Sequence, residues 1–113
     1  MMSNDISLQL LQKKVDNYIG QFKEGYFPPF ELLARMTEEL GELSREVQDV
    51  YGQKKKKATE SKNSIEEELG DLFFVLVCFA NAQNIRLDEA LLKVINKFET
   101  RDKDRWTRKD ELE

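Results

Sequence analysis

The chain has no histidine and only one cysteine among its 113 residues. Without histidine there is no imidazole acid–base catalysis, no Ser–His or Cys–His nucleophile pair, and no Glu-x-x-His ligation of a di-iron bundle. The two shortages together exclude a closed zinc site, which is built from sulfur and imidazole ligands. Any metal must therefore be held by oxygen, which leaves hard ions such as Mg²⁺, Mn²⁺ or Ca²⁺. A single cysteine makes no intrachain disulfide. Cys78, inside the apolar run 72–80, reads as a small buried hydrophobe rather than a reactive thiol. That run is too short to cross a bilayer, which takes about 20 apolar residues. The first residues, Met1 to Ile6, show no basic segment followed by an apolar one, so no signal peptide and a cytoplasmic location are expected. Five glycines and two prolines leave few turns, which favours long helices over many short strands. A net charge of −4 does not suggest a general nucleic-acid binder, which would usually be basic.

What is present is charge and helical periodicity. Hydrophobic residues make up 40% of the chain and charged ones 35%. The length suits a single domain over 1–113, with a core over roughly 5–100 and a charged tail over 101–113. Leu8, Leu11, Val15, Tyr18, Ile19 and Phe22 recur at spacings of three and four and predict a helix over about 5–22. Pro28 and Pro29 break that pattern, and Pro29 is an acceptable first-turn residue for a second helix reaching Tyr51. Leu33, Met36, Leu40, Leu43, Val47 and Val50 form its apolar stripe, and Gly52 is the stop. Residues 52–63 are polar and aperiodic. The four lysines 54–57 read as a solvated loop, with a localisation signal or a phosphate-steering patch as the sharper alternatives. Ser64 and Glu67 form a capping box for a third helix to about Ala82, apolar almost all round after Asp71 and so expected to be buried. Asp88 is the expected N-cap of a fourth helix carrying Leu91, Val94, Ile95 and Phe98 to about Thr100. Trp106 is expected to fold back onto the body or onto a partner subunit. Four such helices predict an all-α, four-helix antiparallel bundle.

Two short segments share one form, acid-Leu-Gly-acid: Glu39 to Glu42 and Glu68 to Asp71. Residues three apart are neighbours on one helix face. Glu39, Glu42 and Glu46 fall beside the apolar stripe of the second helix, while Glu38 lies further round toward solvent. Glu68 and Asp71 open the apolar stretch of the third. Antiparallel helices could therefore bring Glu39, Glu42, Glu68 and Asp71 together, where desolvation would force protonation unless a cation neutralises them; a hard divalent ion is one that would. Gly41 and Gly70 each cost about 1 kcal/mol of helix propensity relative to Ala, and close approach of the two helices is the expected reason. Spacing alone leaves a second account standing, in which acids flank the core of a charged bundle by chance.

The order Glu38-Glu39-x-x-Glu42, then 25 residues, then Glu68-x-x-Asp71 resembles the signature of the MazG-like nucleotide pyrophosphohydrolases. Phe30 to Glu38 is similar to that family's lead-in, and Asn96-Lys97-Phe98-Glu99-x-x-Arg to its closing helix, so the resemblance covers roughly 27–101. It implies an all-α enzyme that hydrolyses a nucleoside triphosphate to monophosphate and pyrophosphate with Mg²⁺, or with Mn²⁺ in its place. Carried over by position, Glu39, Glu42, Glu68 and Asp71 would be metal ligands. Glu38 would be the carboxylate that positions the attacking water, and Asn96 and Lys97 would contact substrate. The bland account of Lys97, an exposed cation near a helix C-terminus, stands beside that one. Arg35, one turn before Glu39, is expected to pair with the acidic sector rather than to act in catalysis. The resemblance further implies a homodimer or homotetramer, with no nucleic-acid or membrane partner. A rival reading keeps the fold as a non-enzymatic helical interaction module.

Overall fold

Ser7 starts the first helix: its side chain accepts the Leu10 amide at 3.0 Å, and α1 runs Leu8–Ile19. The computed structural model describes residues 5–60 and 63–111. Residues 1–4, 61–62 and 112–113 lie outside the described residues, and with them the start of the N-terminal stretch, two residues of the polar loop and the end of the tail. The remaining elements are α2 (Pro29–Tyr51), α3 (Ile65–Ala82), α4 (Leu87–Arg101) and a 3₁₀ turn at Lys109–Glu111.

Helix α1 is shorter at both ends than the apolar spacing predicts. Its N-cap is Ser7 rather than a residue near 5, and Gly20 ends it with its amide on the Asp16 carbonyl at 2.9 Å. Phe22 lies in the turn beyond, its ring edge-on to Tyr18 at 5.3 Å. Gly25 has φ +64° in this turn, a conformation that a side chain would strain. The limits of α2 agree with the sequence reading, with Pro29 at N1 and Gly52 as C-cap. The capping box at α3 is formed as expected: Ser64 Oγ accepts from the Glu67 amide at 2.9 Å and Glu67 reaches back to the Ser64 amide. At its far end Asn84 takes φ +58°, with Asn84 N–H on the Asn81 carbonyl and Ile85 N–H on the Ala80 carbonyl, a Schellman closure. Asp88 is not the N-cap of α4. Arg86 holds that position and Asp88 falls in the first turn, where it accepts the Glu89 amide at 2.8 Å and the Arg86 guanidinium at 2.7 Å.

The four helices form an all-α bundle with α2 and α3 as its principal pair. Leu32, Val77, Cys78 and Ala80 are its buried apolar residues. α1 packs on α3, and α4 packs on α1. Gln12 locks that arrangement. Its amide nitrogen donates to Asn81 Oδ1 and to the Ile85 carbonyl, and its oxygen accepts the Leu87 amide, so α1 holds the turn between α3 and α4.

Helix α3 is less enclosed than its composition implies. Phe73, Phe74 and Leu76 stay exposed, as do Leu91, Leu92, Val94, Ile95 and Phe98 on α4. The radius of gyration is 18.5 Å, against about 13 Å for a compact chain of this length. The apolar stripes are helical as predicted, but one copy of the chain does not cover them. Trp106 does not fold back onto the body. It is 74% exposed, with the Arg105 guanidinium 5.3 Å over its ring. Among the described residues no helix is long and apolar enough to cross a membrane.

Candidate metal centre

Three contacts show that α2 and α3 run antiparallel. Glu46 meets the amide of Asn63, Glu39 meets Glu68 and Asp71, and Leu32 shares a cavity wall with Phe74, Val75 and Cys78. Numbers rise on α2 as they fall back along the chain toward the start of α3. This places the middle of α2 against the first turns of α3, where the acidic residues lie.

One carboxylate oxygen from each of Glu39, Glu68 and Asp71 lies within 4.8 Å of the other two. Glu68 is buried, Glu39 partly buried and Asp71 exposed, so the group opens outward at one side. Burial raises the Glu39 carboxyl above its ordinary range, and the charges of Asp71, Glu68 and Glu42 raise it further; Arg35 opposes them. The group therefore carries more negative charge than its surroundings neutralise. Three oxygens with no nitrogen or sulfur among them suit a hard divalent ion that keeps some of its waters.

Of the residues singled out in the sequence, Glu39, Glu68 and Asp71 come together. Glu42 stands outside the triad and exposed, near enough for its charge to act on Glu39. Glu38 is exposed on the neighbouring face. Asn96 and Lys97 are exposed on α4, which packs on α1, and neither lines the cavity beside the triad. Gly41 and Gly70 do not mark a close approach of helices: a Cβ built at either meets nothing within 4 Å. Arg35 makes no ion pair among those described; its guanidinium lies 5.5 Å over the Phe27 ring and acts on Glu39 through its charge.

Beside the triad lies a cavity of about 230 Å³ walled by Ile19, Phe27, Leu32, Phe74 and Cys78, with Tyr26, Arg35, Glu39 and Asp71 as its polar members. The Tyr26 hydroxyl donates to Asp16 Oδ1 at 2.7 Å and accepts from Asn81 at 2.9 Å. Burial, with the Asp16 carboxylate behind it, pushes its pKa up to about 12, so the phenol stays protonated and is no base. Burial likewise raises the Cys78 thiol, in keeping with a packing role.

The lysine-rich loop is not merely solvated. Lys56 forms an ion pair with Glu46 in which both side chains are almost wholly buried. Lys55 donates to the Asp49 carbonyl at 2.7 Å, near the end of α2. Asn63 completes the arrangement: its backbone amide donates to Glu46 Oε1 at 3.0 Å and its side chain to Glu68 Oε1 at 2.6 Å. Sequence reasoning missed Lys56, Asn63 and Tyr26. The only available signal was the nearness of Asn63 to the cap of α3.

Comparison with known proteins places the family and the fold. The model of the MazG nucleotide pyrophosphohydrolase domain matches residues 27–106. The uncharacterized protein YpjD of Bacillus subtilis (strain 168) is 61% identical over 108 residues, 96% of this chain and 97% of that one. The crystal structure of YpjD from Bacillus subtilis superposes with a TM-score of 0.79 at 58% identity, covering 88% of this chain and all (100%) of that one. A Bacillus-conserved MazG protein described as a nucleotide pyrophosphohydrolase gives 0.77 at 53% identity, covering 90% and 99%.

Proposed function

The chain belongs to the MazG nucleotide pyrophosphohydrolase family, and from that membership we propose that it cleaves nucleoside triphosphates, NTP or dNTP, between the α and β phosphates. The products are a nucleoside monophosphate and pyrophosphate, and the role is clearance of unwanted nucleotides. The observation that carries this reading is the triad of carboxylate oxygens, drawn from two helices, at the edge of a cavity with an apolar wall.

Glu39, Glu68 and Asp71 would hold Mg²⁺, or Mn²⁺, with Glu42 closing the set from the exposed side. An ion held by these residues would neutralise phosphate charge and lower the pKa of a water. Glu38 accepts a hydrogen bond from the attacking water and orients it, since no imidazole is present to do so. The cavity shelters the nucleoside. Asn96 and Lys97 reach the substrate from the α4 of a second subunit, because their own α4 packs away from the triad. The uncovered apolar residues of α3 and α4 support the homodimer or homotetramer that such sharing requires.

Pyrophosphate release from a panel of NTPs and dNTPs, with Mg²⁺ and with chelator, tests the proposal. Metal-dependent release from at least one nucleotide is expected. No release from any of them, and no heat of Mg²⁺ binding, would leave a helical interaction module as the better reading.

A further inference from the structure

The pieces of the polar loop that the metal reading does not use converge on one of the candidate ligands. Glu68 is 3% exposed, and its Oε1 accepts the Asn63 amide at 2.6 Å. Asn63 is itself fixed at the backbone, where its N–H donates to Glu46 Oε1 at 3.0 Å. Glu46 is in turn fixed by Lys56, with side chains 2% and 7% exposed. The hydrogen bonds from Lys56 and from the Asn63 backbone hold the Glu46 carboxyl below the usual carboxylate range, so they favour its charged form. A chain of contacts thus runs from the loop to a ligand of the triad.

We propose that Asn63 is a positioning residue for the metal centre: its side-chain amide occupies one face of the Glu68 carboxylate and turns the remaining lone pairs toward Glu39 and Asp71. The inference rests on the metal reading given above. The chemistry is that of an outer-shell donor. A buried carboxylate with two free oxygens can rotate and bind an ion in several ways, whereas one whose Oε1 is already engaged has a preferred orientation. Loss of such a partner typically costs 10–100-fold in metal affinity or activity. The Glu46–Lys56 pair sets where the loop sits and so where Asn63 can reach. The polar loop, whatever the variability of its other residues, therefore carries one position that serves the site.

Calorimetric titration of Mg²⁺ into the full chain tests this, using wild type, Asn63→Ala and the conservative Asn63→Gln. Asn63→Ala is expected to weaken Mg²⁺ binding by roughly 10–100-fold, with Asn63→Gln recovering part of the loss because it keeps an amide donor on a longer stem. Thermal melts in chelator accompany the titrations. Asn63→Ala leaves the buried Glu68 carboxylate one donor short, so its metal-free melting temperature should fall by a few degrees, and Mg²⁺ affinity is the readout that decides. Unchanged Mg²⁺ affinity in Asn63→Ala, whether or not its metal-free melt falls, would overturn the inference while leaving the metal centre intact. Equal losses in Asn63→Gln and Asn63→Ala, with equal drops in the metal-free melt, would also overturn it in favour of a purely structural role. No binding by wild type would overturn the metal reading and this inference with it.

Discussion

Replacing Glu39 by glutamine should make the metal-free protein more stable and the metal-loaded protein less responsive. The carboxylate oxygens of Glu39, Glu68 and Asp71 lie within 4.8 Å of each other. At that distance two like unit charges repel by about 3.5 kcal/mol at an effective dielectric near 20, and by about 0.9 kcal/mol in bulk water. Glu39→Gln removes two of the three repulsions. Asp71 is exposed and Glu39 only partly buried, so solvent screening places the gain toward the lower end, about 1–3 kcal/mol. For a chain of this size that is a rise in melting temperature of roughly 4 °C per kcal/mol. Magnesium should reverse the order. An ion present at 100 times its dissociation constant stabilises the wild type by about 2.7 kcal/mol, while the variant, short of one ligand, gains much less. The assay is a pair of melting curves, in chelator and along a Mg²⁺ titration, and its signature is a crossing. A variant that melts lower than wild type without metal, or that gains as much from Mg²⁺, would refute the electrostatic argument.

Three further outcomes follow from the same structure. Gly41→Ala and Gly70→Ala should each stabilise the metal-free chain by about 0.8–1 kcal/mol in urea unfolding, because both sit inside helices with open space at Cβ; loss of turnover alongside that gain would assign the space to substrate or to a second subunit. The pH dependence should have two limbs. The raised Glu39 carboxyl penalises its charged form, so the metal-free protein gains stability as pH falls from neutral toward the ordinary value of 4.5. The lowered Glu46 and Asp88 carboxyls stabilise when ionised. Their contribution is present above the ordinary 4.5 and 3.8 and is lost as pH falls through their lower folded values, so acid unfolding belongs below about pH 4. Melts from pH 7 to pH 2 should show a rise before the fall. Finally, Gln12→Leu strips three hydrogen bonds from a buried side chain and should cost about 2–4 kcal/mol, read as a lower urea midpoint at unchanged slope.

Helical periodicity was enough to read the four helices, and local chemistry was enough to read several of their ends. The stripe from Leu33 to Val50 marks α2 without ambiguity, and the Ser64–Glu67 box marks the start of α3 because both of its hydrogen bonds are local. Asp88 misled because it is a good local acceptor, whereas the cap position falls on Arg86, whose side chain accepts nothing, and the Leu87 amide is satisfied by Gln12 from a distant helix. Glu68 and Asp71 were legible because i and i+3 fix a face, but the same spacing put Glu42 beside Glu39, and Glu42 stays outside the group that forms. What was not legible depends on the path of an irregular loop. Nothing periodic distinguishes Lys56 from Lys54, yet only Lys56 is paired with a buried glutamate at a helix face ten residues earlier. The glycines were misread because a helix–helix contact was assumed where the single chain leaves room. The apolar faces of α3 and α4 carry no sign of whether the same chain or another will cover them.

The pairing of α2 with α3 has a consequence for the order of events as the chain folds. Every member of the triad lies on two helices adjacent in sequence, and these two make the molecule's main helix–helix contact. Of the packed helix pairs these two are the nearest in sequence, so closing them costs the least loop entropy and they are expected to form first. On that order of events the three charges are expected to come together on the way to the barrier. On the metal reading proposed above, a divalent ion that relieves them would lower that barrier, and magnesium should then appear in refolding kinetics as a faster folding rate, with the unfolding rate changing less.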